Sequence, residues 1–193
     1  GKPLANDEVT VSGDGWATGE GATYSVTGSQ TLVGSSANSF TYALNEGTKA
    51  DNYTITEVPG QLTVTARPDD AKFEITVVAN SGTDKYDGTE KSVSGLEKTE
   101  FELDGVKYTV EGLTASAKGT DAGEYTANVT GTAVVKDAEG HDVTDQFVVK
   151  TQAGKLTIEK RQVTLTSATD SKPYDGKPLA NDEVTVSGDG WAT

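Results

Sequence analysis

The chain has no cysteine, no methionine and a single histidine. Without thiols there can be no disulfide, no thiolate nucleophile and no thiolate metal ligand, so packing and backbone hydrogen bonds must hold the fold alone. A helix needs about 20 consecutive apolar residues to cross a bilayer, and no such stretch and no signal peptide is present. With no Met at its head, Gly1 reads as a residue inside a longer protein. Apolar residues make up only 34% of the 193, a low share for a globular chain. Cations are scarce as well: 16 Lys and Arg face 30 Asp and Glu, a formal charge of −14. Such a surface repels phosphate backbones and anionic lipid, which sets nucleic acid and membranes aside as partners. Solubility accounts for that charge, with weak capture of divalent cations as the other use.

The apolar residues that are present are concentrated in short alternating runs of Val, Thr, Tyr and Ile, the pattern of half-buried strands. Strands are expected at 162–167, 183–187, 22–27, 39–44, 53–57 and 61–65, and at 72–78, 101–102, 107–111, 125–135, 147–150 and 155–159. Asp175-Gly176, Asp87-Gly88, Asp104-Gly105, Pro59-Gly60 and Ala153-Gly154 supply turns between them. The polar stretches 46–51 and 136–145 read as crossover loops, each with room for one helical turn. No segment carries an amphipathic helical stripe.

Residues 176–193 repeat residues 1–18 without a change, a period of 175. Inside that period NYTITEVPGQLTVTAR (52–67) aligns with QFVVKTQAGKLTIEKR (146–161) at an offset of 94. Tyr86-Asp87-Gly88 matches Tyr174-Asp175-Gly176, and NSFTYAL (38–44) is paired with GEYTANV (123–129). Two related modules therefore alternate. Module B is complete at 68–161. Module A is cut by the chain ends: its back half lies within 1–67, after the overlap 1–18, and its front half is 162–193. The boundaries at 66–70 and 160–161 contain no Gly/Ser linker, so the modules are expected end to end as a rod.

The run KPYDGKPL at 172–179, KYDGTEKSV at 85–93, AGEYTANV at 122–129 and NYTITEVPGQLTVT at 52–65 resemble, in that order, the YDG/MBG-type domains of bacterial cell-surface repeat proteins. The resemblance implies all-β modules, small β-sandwiches or β-grasp-like. It also implies an extracellular place in the wall-anchored stalk of a Gram-positive-like adhesin. Insertions before the Tyr-Asp-Gly turn and at 96–107 depart from the pattern and point to an extended sheet in module B.

The candidate sites have structural readings. In Tyr86-Asp87-Gly88 and Tyr174-Asp175-Gly176 the glycine permits positive φ, the aspartate binds turn amides and the ring covers a small core. Asp137, Glu139, Asp142 and Asp145 are oxygen ligands at alternating positions around His141, but the twelve-residue calcium-loop pattern is missing, and a solvated loop is expected. Nothing selects a nucleophile for His141, so no catalytic residue and no cofactor is assigned. Lys72, Lys155 and Asn128 are candidates for a spontaneous isopeptide cross-link. Trp16 and Trp191, one repeat position, are expected to close module A against module B or to stack on a sugar.

The partners expected are neighbouring repeats, including head-to-tail completion of module A by another chain, with host glycoprotein as the alternative. The function expected is a structural stalk or spacer. Direct multivalent glycan binding is the other reading.

Overall fold

A computed structural model of the protein describes residues 2–192; Gly1 and Thr193, the outer ends of the two partial modules, lie outside them. Among the described residues every regular element is a strand or a three-residue 3-10 turn, so the chain is all-β as expected. Among the described residues no helix is long and apolar enough to cross a membrane.

In the back half of module A, β1 (Ala22–Val26) pairs antiparallel with β3 (Phe40–Leu44), and β2 (Gly34–Asn38) with β4 (Gly60–Val64). Module B runs β5 (Phe73–Val78), β6 (Gly82–Lys85), β7 (Lys91–Ser94), β8 (Glu100–Leu103), β9 (Val106–Gly119), β10 (Gly123–Ala127), β11 (Val129–Asp137), β12 (Phe147–Gln152) and β13 (Gly154–Glu159). The front half of the next module A contributes β14 (Val163–Ser167) and β15 (Val184–Gly188), paired antiparallel. In module B, β13 lies between β10, antiparallel, and β6, parallel. The order β11-β9-β7 forms another sheet, with β8 also on β9, and β12 pairs β5.

The packing follows from the alternation. Gly154, Leu156 and Ile158 of β13 are buried while Lys155 and Glu159 are exposed, a period-two pattern that puts one face inward. Ile75 and Val77 on β5, and Ala79 just after it, do the same, at 4%, 0% and 0% exposure. Burying each branched aliphatic side chain contributes about 1.5–3 kcal/mol. Apart from Leu62, every fully buried apolar side chain lies in module B. At the β8–β9 turn Asp104 and Gly105 both take positive φ, 53° and 76°, as a two-residue type I′ hairpin requires.

By contacts the chain forms two compact units. One comprises Gly1–Phe73, Glu102–Thr109 and Val135–Val148. It holds an aromatic cluster in which Phe147 meets Tyr108 edge-on at 4.9 Å and Phe73 at 5.5 Å, with the Arg67 guanidinium 3.7 Å above the Phe73 ring. The other comprises Glu74–Phe101, Val110–Val134 and Val149–Thr193. Its centre includes Ala79, Ala115 and Ala127, surrounded by Val93, Leu96, Ala117 and Val129.

The pairings revise the sequence reading in several places. The long run 125–135 is two strands, β10 and β11, and β9 extends well past 111. The short polar strands β2, β6 and β7 were not expected. Residues 53–57, expected as a strand, form none. The internal alignment also shifts: Gly34↔Val64 and Asn38↔Gly60 reproduce Gly123↔Ile158 and Ala127↔Gly154. Since β4 matches β13 at the offset of 94, residues 34–38 correspond to 123–127, and the pairing of 38–44 with 123–129 is replaced. The extended module B sheet has a concrete form in the β8–β9 hairpin.

Candidate functional site

The two Tyr-Asp-Gly turns share their polar chemistry and differ in their surroundings. Asp87 accepts from the Thr89 amide at 2.9 Å and hydroxyl at 2.6 Å and from Lys91 Nζ at 2.5 Å. These bonds hold its carboxyl well below the usual carboxylate range, Lys91 contributing most. Asp175 accepts from the Lys177 amide at 3.0 Å and from Lys172 Nζ, and is likewise lowered, chiefly by Lys172. Gly88 and Gly176 supply the positive φ, 85° and 70°. Tyr86 is half-buried at the end of β6, its amide donating to the Glu159 carbonyl at 2.9 Å. Tyr174 is 98% exposed, so in the second copy the ring covers nothing. The second turn forms with its ring in solvent, whereas Tyr86 is half-buried.

Asp137 corrects the expectation of a solvated loop. Its residue is 5% exposed, at the end of β11, and its Oδ1 accepts from the Glu139 amide at 3.1 Å and the His141 amide at 2.9 Å. Its Oδ2 lies 3.1 Å from His141 Nδ1. Burial alone would push this carboxyl up, but the His141 and Glu139 hydrogen bonds outweigh it and leave the pKa lowered. Possible ligand atoms of Asp137, Glu139 and His141 come within 4.8 Å of one another, yet the Asp137 oxygens are already engaged in building the turn. Asp142 is turned away onto Thr144, whose amide and hydroxyl donate to it at 3.0 and 2.6 Å, and Asp145 sits in the exposed part of the 3-10 turn that follows. The four acids are not gathered into one centre.

The sign of the pH dependence follows. A carboxyl whose folded pKa is depressed contributes stability fully present above its unfolded value, near 3.9, and lost as pH falls through the folded value. Asp87, Asp137, Asp142, Asp175 and Asp189 all lie on that side. Urea unfolding followed by circular dichroism is therefore expected to show a stability plateau above about pH 5 and a steady loss toward pH 2. Asp137→Ala should lower the plateau by about 1–3 kcal/mol, because two turn amides lose their acceptor. A variant as stable as the parent at pH 7 would show that the buried carboxylate contributes nothing.

Trp16 packs against two tyrosines of module A. Its indole N–H donates to the Tyr24 hydroxyl at 3.0 Å, and its ring meets Tyr53 edge-on at 4.8 Å, inside the back half of module A. Tyr53 donates to Glu20 and accepts from the Ala17 amide. Trp191 is 64% exposed. Of the isopeptide candidates, Lys72 pairs with Asp69 at 2.9 Å and Lys155 with Glu124 at 2.9 Å, and Asn128 is exposed.

Sequence reasoning missed the group at the start of the second module A. Arg161 Nε donates to the Gly190 carbonyl at 2.9 Å, Nη1 to the Tyr86 carbonyl at 3.3 Å, and Nη2 to the Asp189 carbonyl. The Asp189 carboxylate accepts from the Gln162 amide and from Lys85 Nζ, each at 2.8 Å, and is lowered by both. One arginine and one aspartate thus clamp the end of module B to the beginning of the next module. The available signal was the recurrence of arginine at the last position of both modules, Arg67 and Arg161.

The remaining feature is an open edge in module A. Residues 53–58 correspond to β12, which pairs with β5, but they pair with no strand among the described residues. Ile55 is 36% and Val58 77% exposed. β4 has only β2 beside it, whereas its counterpart β13 has both β10 and β6. Accordingly Gly60 is exposed and Val64 half-buried where Gly154 and Ile158 are buried. No family model matches the chain, and no curated protein and no solved structure matches it either.

Proposed function

We propose that this chain is a spacer: a repeating structural pair of β modules from the stalk of a bacterial surface adhesin, extracellular and without catalysis, which holds a distal binding region away from the cell. The observation that supports this best is the Arg161–Asp189 clamp. Module B contributes Arg161 and Lys85, and the following module A answers with the Asp189 side chain and the carbonyls of residues 189 and 190. These contacts fix how one module follows another, which is what a stalk needs and a free binding domain does not. Asp189 belongs to the eighteen residues that recur unchanged at 1–18, so the same clamp is available wherever module A follows module B. Residues that join repeats are kept in every copy, and length can then change by whole repeats.

The test is a two-period chain on an array of bacterial and host glycans and glycoproteins. No binding above that of a single period is expected. Signal that grows with valency would overturn the spacer reading in favour of multivalent adhesion by the repeats themselves.

A further inference from the structure

We infer that the Tyr-Asp-Gly turn of module B, with Lys85 before it, is a docking face for the Gly-Asp-Gly turn of the following module A. Lys85 makes the pairing selective for the end of module B over the end of module A. The inference rests on the reading of the chain as joined repeats and adds which end module A accepts in front of it.

The docking face is built around one carboxylate. β6 ends at Lys85, and the chain then turns at Tyr86-Asp87-Gly88. The Tyr86 carbonyl accepts from Arg161 Nη1 at 3.3 Å, and the same guanidinium holds the carbonyls of Asp189 and Gly190. A Cβ on Gly88 would lie 3.7 Å from the Ala192 methyl, so the turn itself abuts module A. Asp189 is tied to its own module through Gln162: its Oδ2 accepts from the Gln162 amide at 2.8 Å, and its amide donates to the Gln162 carbonyl at 2.7 Å. These bonds set the carboxylate in place and leave Oδ1 to the preceding module. Lys85 Nζ takes it at 2.8 Å.

Selectivity follows from what differs between the two module ends. Both modules end in arginine and both carry Tyr-Asp-Gly. The residue before the tyrosine is Lys85 in module B and Pro173 in module A. Proline brings neither a charge nor a side-chain donor, so a module A in front would leave Oδ1 without its cation. The arginines differ as well. Arg67 stacks on Phe73 at 3.7 Å, its Nη1 donates to the Ala71 carbonyl at 2.7 Å, and its amide donates to the Gln146 side-chain oxygen at 2.8 Å. Pro68 follows Arg67 where Gln162 follows Arg161, and proline lacks the N–H that Gln162 gives to Asp189. Tyr86 lies 19 residues after Arg67, and Tyr174 lies 13 after Arg161. The longer run in module B holds the 3-10 turn Asp69–Ala71, which receives Arg67. One residue type at the module end thus has two sets of partners, and the start of the following module decides between them.

Hydrogen exchange measured by NMR on the full chain tests the pairing. The amides of Gln162 and Asp189 are expected to be protected in the parent. Lys85→Ala should speed their exchange about two- to fivefold, the range of a partly exposed ion pair, and about 1 M salt should bring the parent to the same rates. Lys85→Arg should restore protection. Asp189→Asn should speed the Gln162 amide about tenfold, because a charged acceptor becomes neutral, and Lys85→Ala added to it should change nothing further. The amides of β13, which pairs with β6, report folding and should keep the parent's rates throughout. A Lys85 that served only β6 would give faster exchange in β13 and an effect that persists in the Asp189→Asn background. Either of those results, or Lys85→Ala rates equal to the parent's, would overturn the proposal and leave the spacer reading to its array test. Binding on the array would remove the spacer reading and leave the pairing as measured.

Discussion

Leu156→Ala is expected to lower the stability of module B by about 2–5 kcal/mol, the range for truncating a fully buried leucine. Leu156 has no exposed surface and occupies the middle of β13. Tyr125 stands opposite it on β10 and Gly82 on β6. A strand flanked on both sides cannot shift toward the vacancy without breaking one of its ladders. The lost side chain would therefore leave a cavity and not a collapsed site, which places the cost toward the upper part of the range. For a unit of this size each kcal/mol corresponds to about 4–8 °C in melting temperature. Urea denaturation monitored by circular dichroism measures it. The equivalent change Leu62→Ala is the informative comparison: Leu62 is 5% exposed, and β4 has a neighbour on one side only. It should cost distinctly less, and equal losses at the two sites would show that β4 is as enclosed as β13.

That contrast bears on what could be read in the sequence. The all-β class and most of the strands with an alternating apolar face were legible, because Val, Leu and Ile at every second position leave few other ways to be buried. The strands β2 (GSSAN), β6 (GTDK) and β7 (KSVS) were not, since they carry little apolar signal and exist because β4, β13 and β9 need partners. The converse error, a strand expected at 53–57, has the same cause. Tyr53 and Ile55 alternate as a strand should, but alternation supplies a face and not a hydrogen-bonded neighbour. The two copies of VTVSG make the point with no change of sequence at all: 184–188 pairs with β14, while 9–13 pairs with no strand among the described residues. Asp137 was hidden for a different reason. In DAEGHDVTD most residues are polar, and nothing local indicates that the first aspartate ends a strand and turns inward to bind amides.

The paired glycines of β9 and β11 lead to the second large effect. Gly112 and Gly131 have φ of +80° and +107°, a region that costs an L-residue about 1–2 kcal/mol. They also face each other across the ladder. A Cβ on Gly131 would lie 2.1 Å from the Gly112 carbonyl oxygen, and one on Gly112 would lie 2.2 Å from the Thr132 carbonyl oxygen. Both obstacles are backbone, which cannot rotate aside as a side chain can, so the sheet itself would have to open. Forcing atoms into a packed site costs about 1–3 kcal/mol more. Gly131→Ala is therefore expected to lose about 2–5 kcal/mol, with hydrogen exchange accelerated in β9 and β11. Gly140→Ala separates the two causes. Gly140 also has positive φ, +86°, but nothing lies within 4 Å of the added carbon, so only the conformational part should be lost. If the two substitutions cost the same, close approach of the strands contributes nothing, and the glycines serve only the positive φ. If Gly131→Ala costs the larger amount, the glycines are there to let β9 and β11 come this close, because no side chain fits between them.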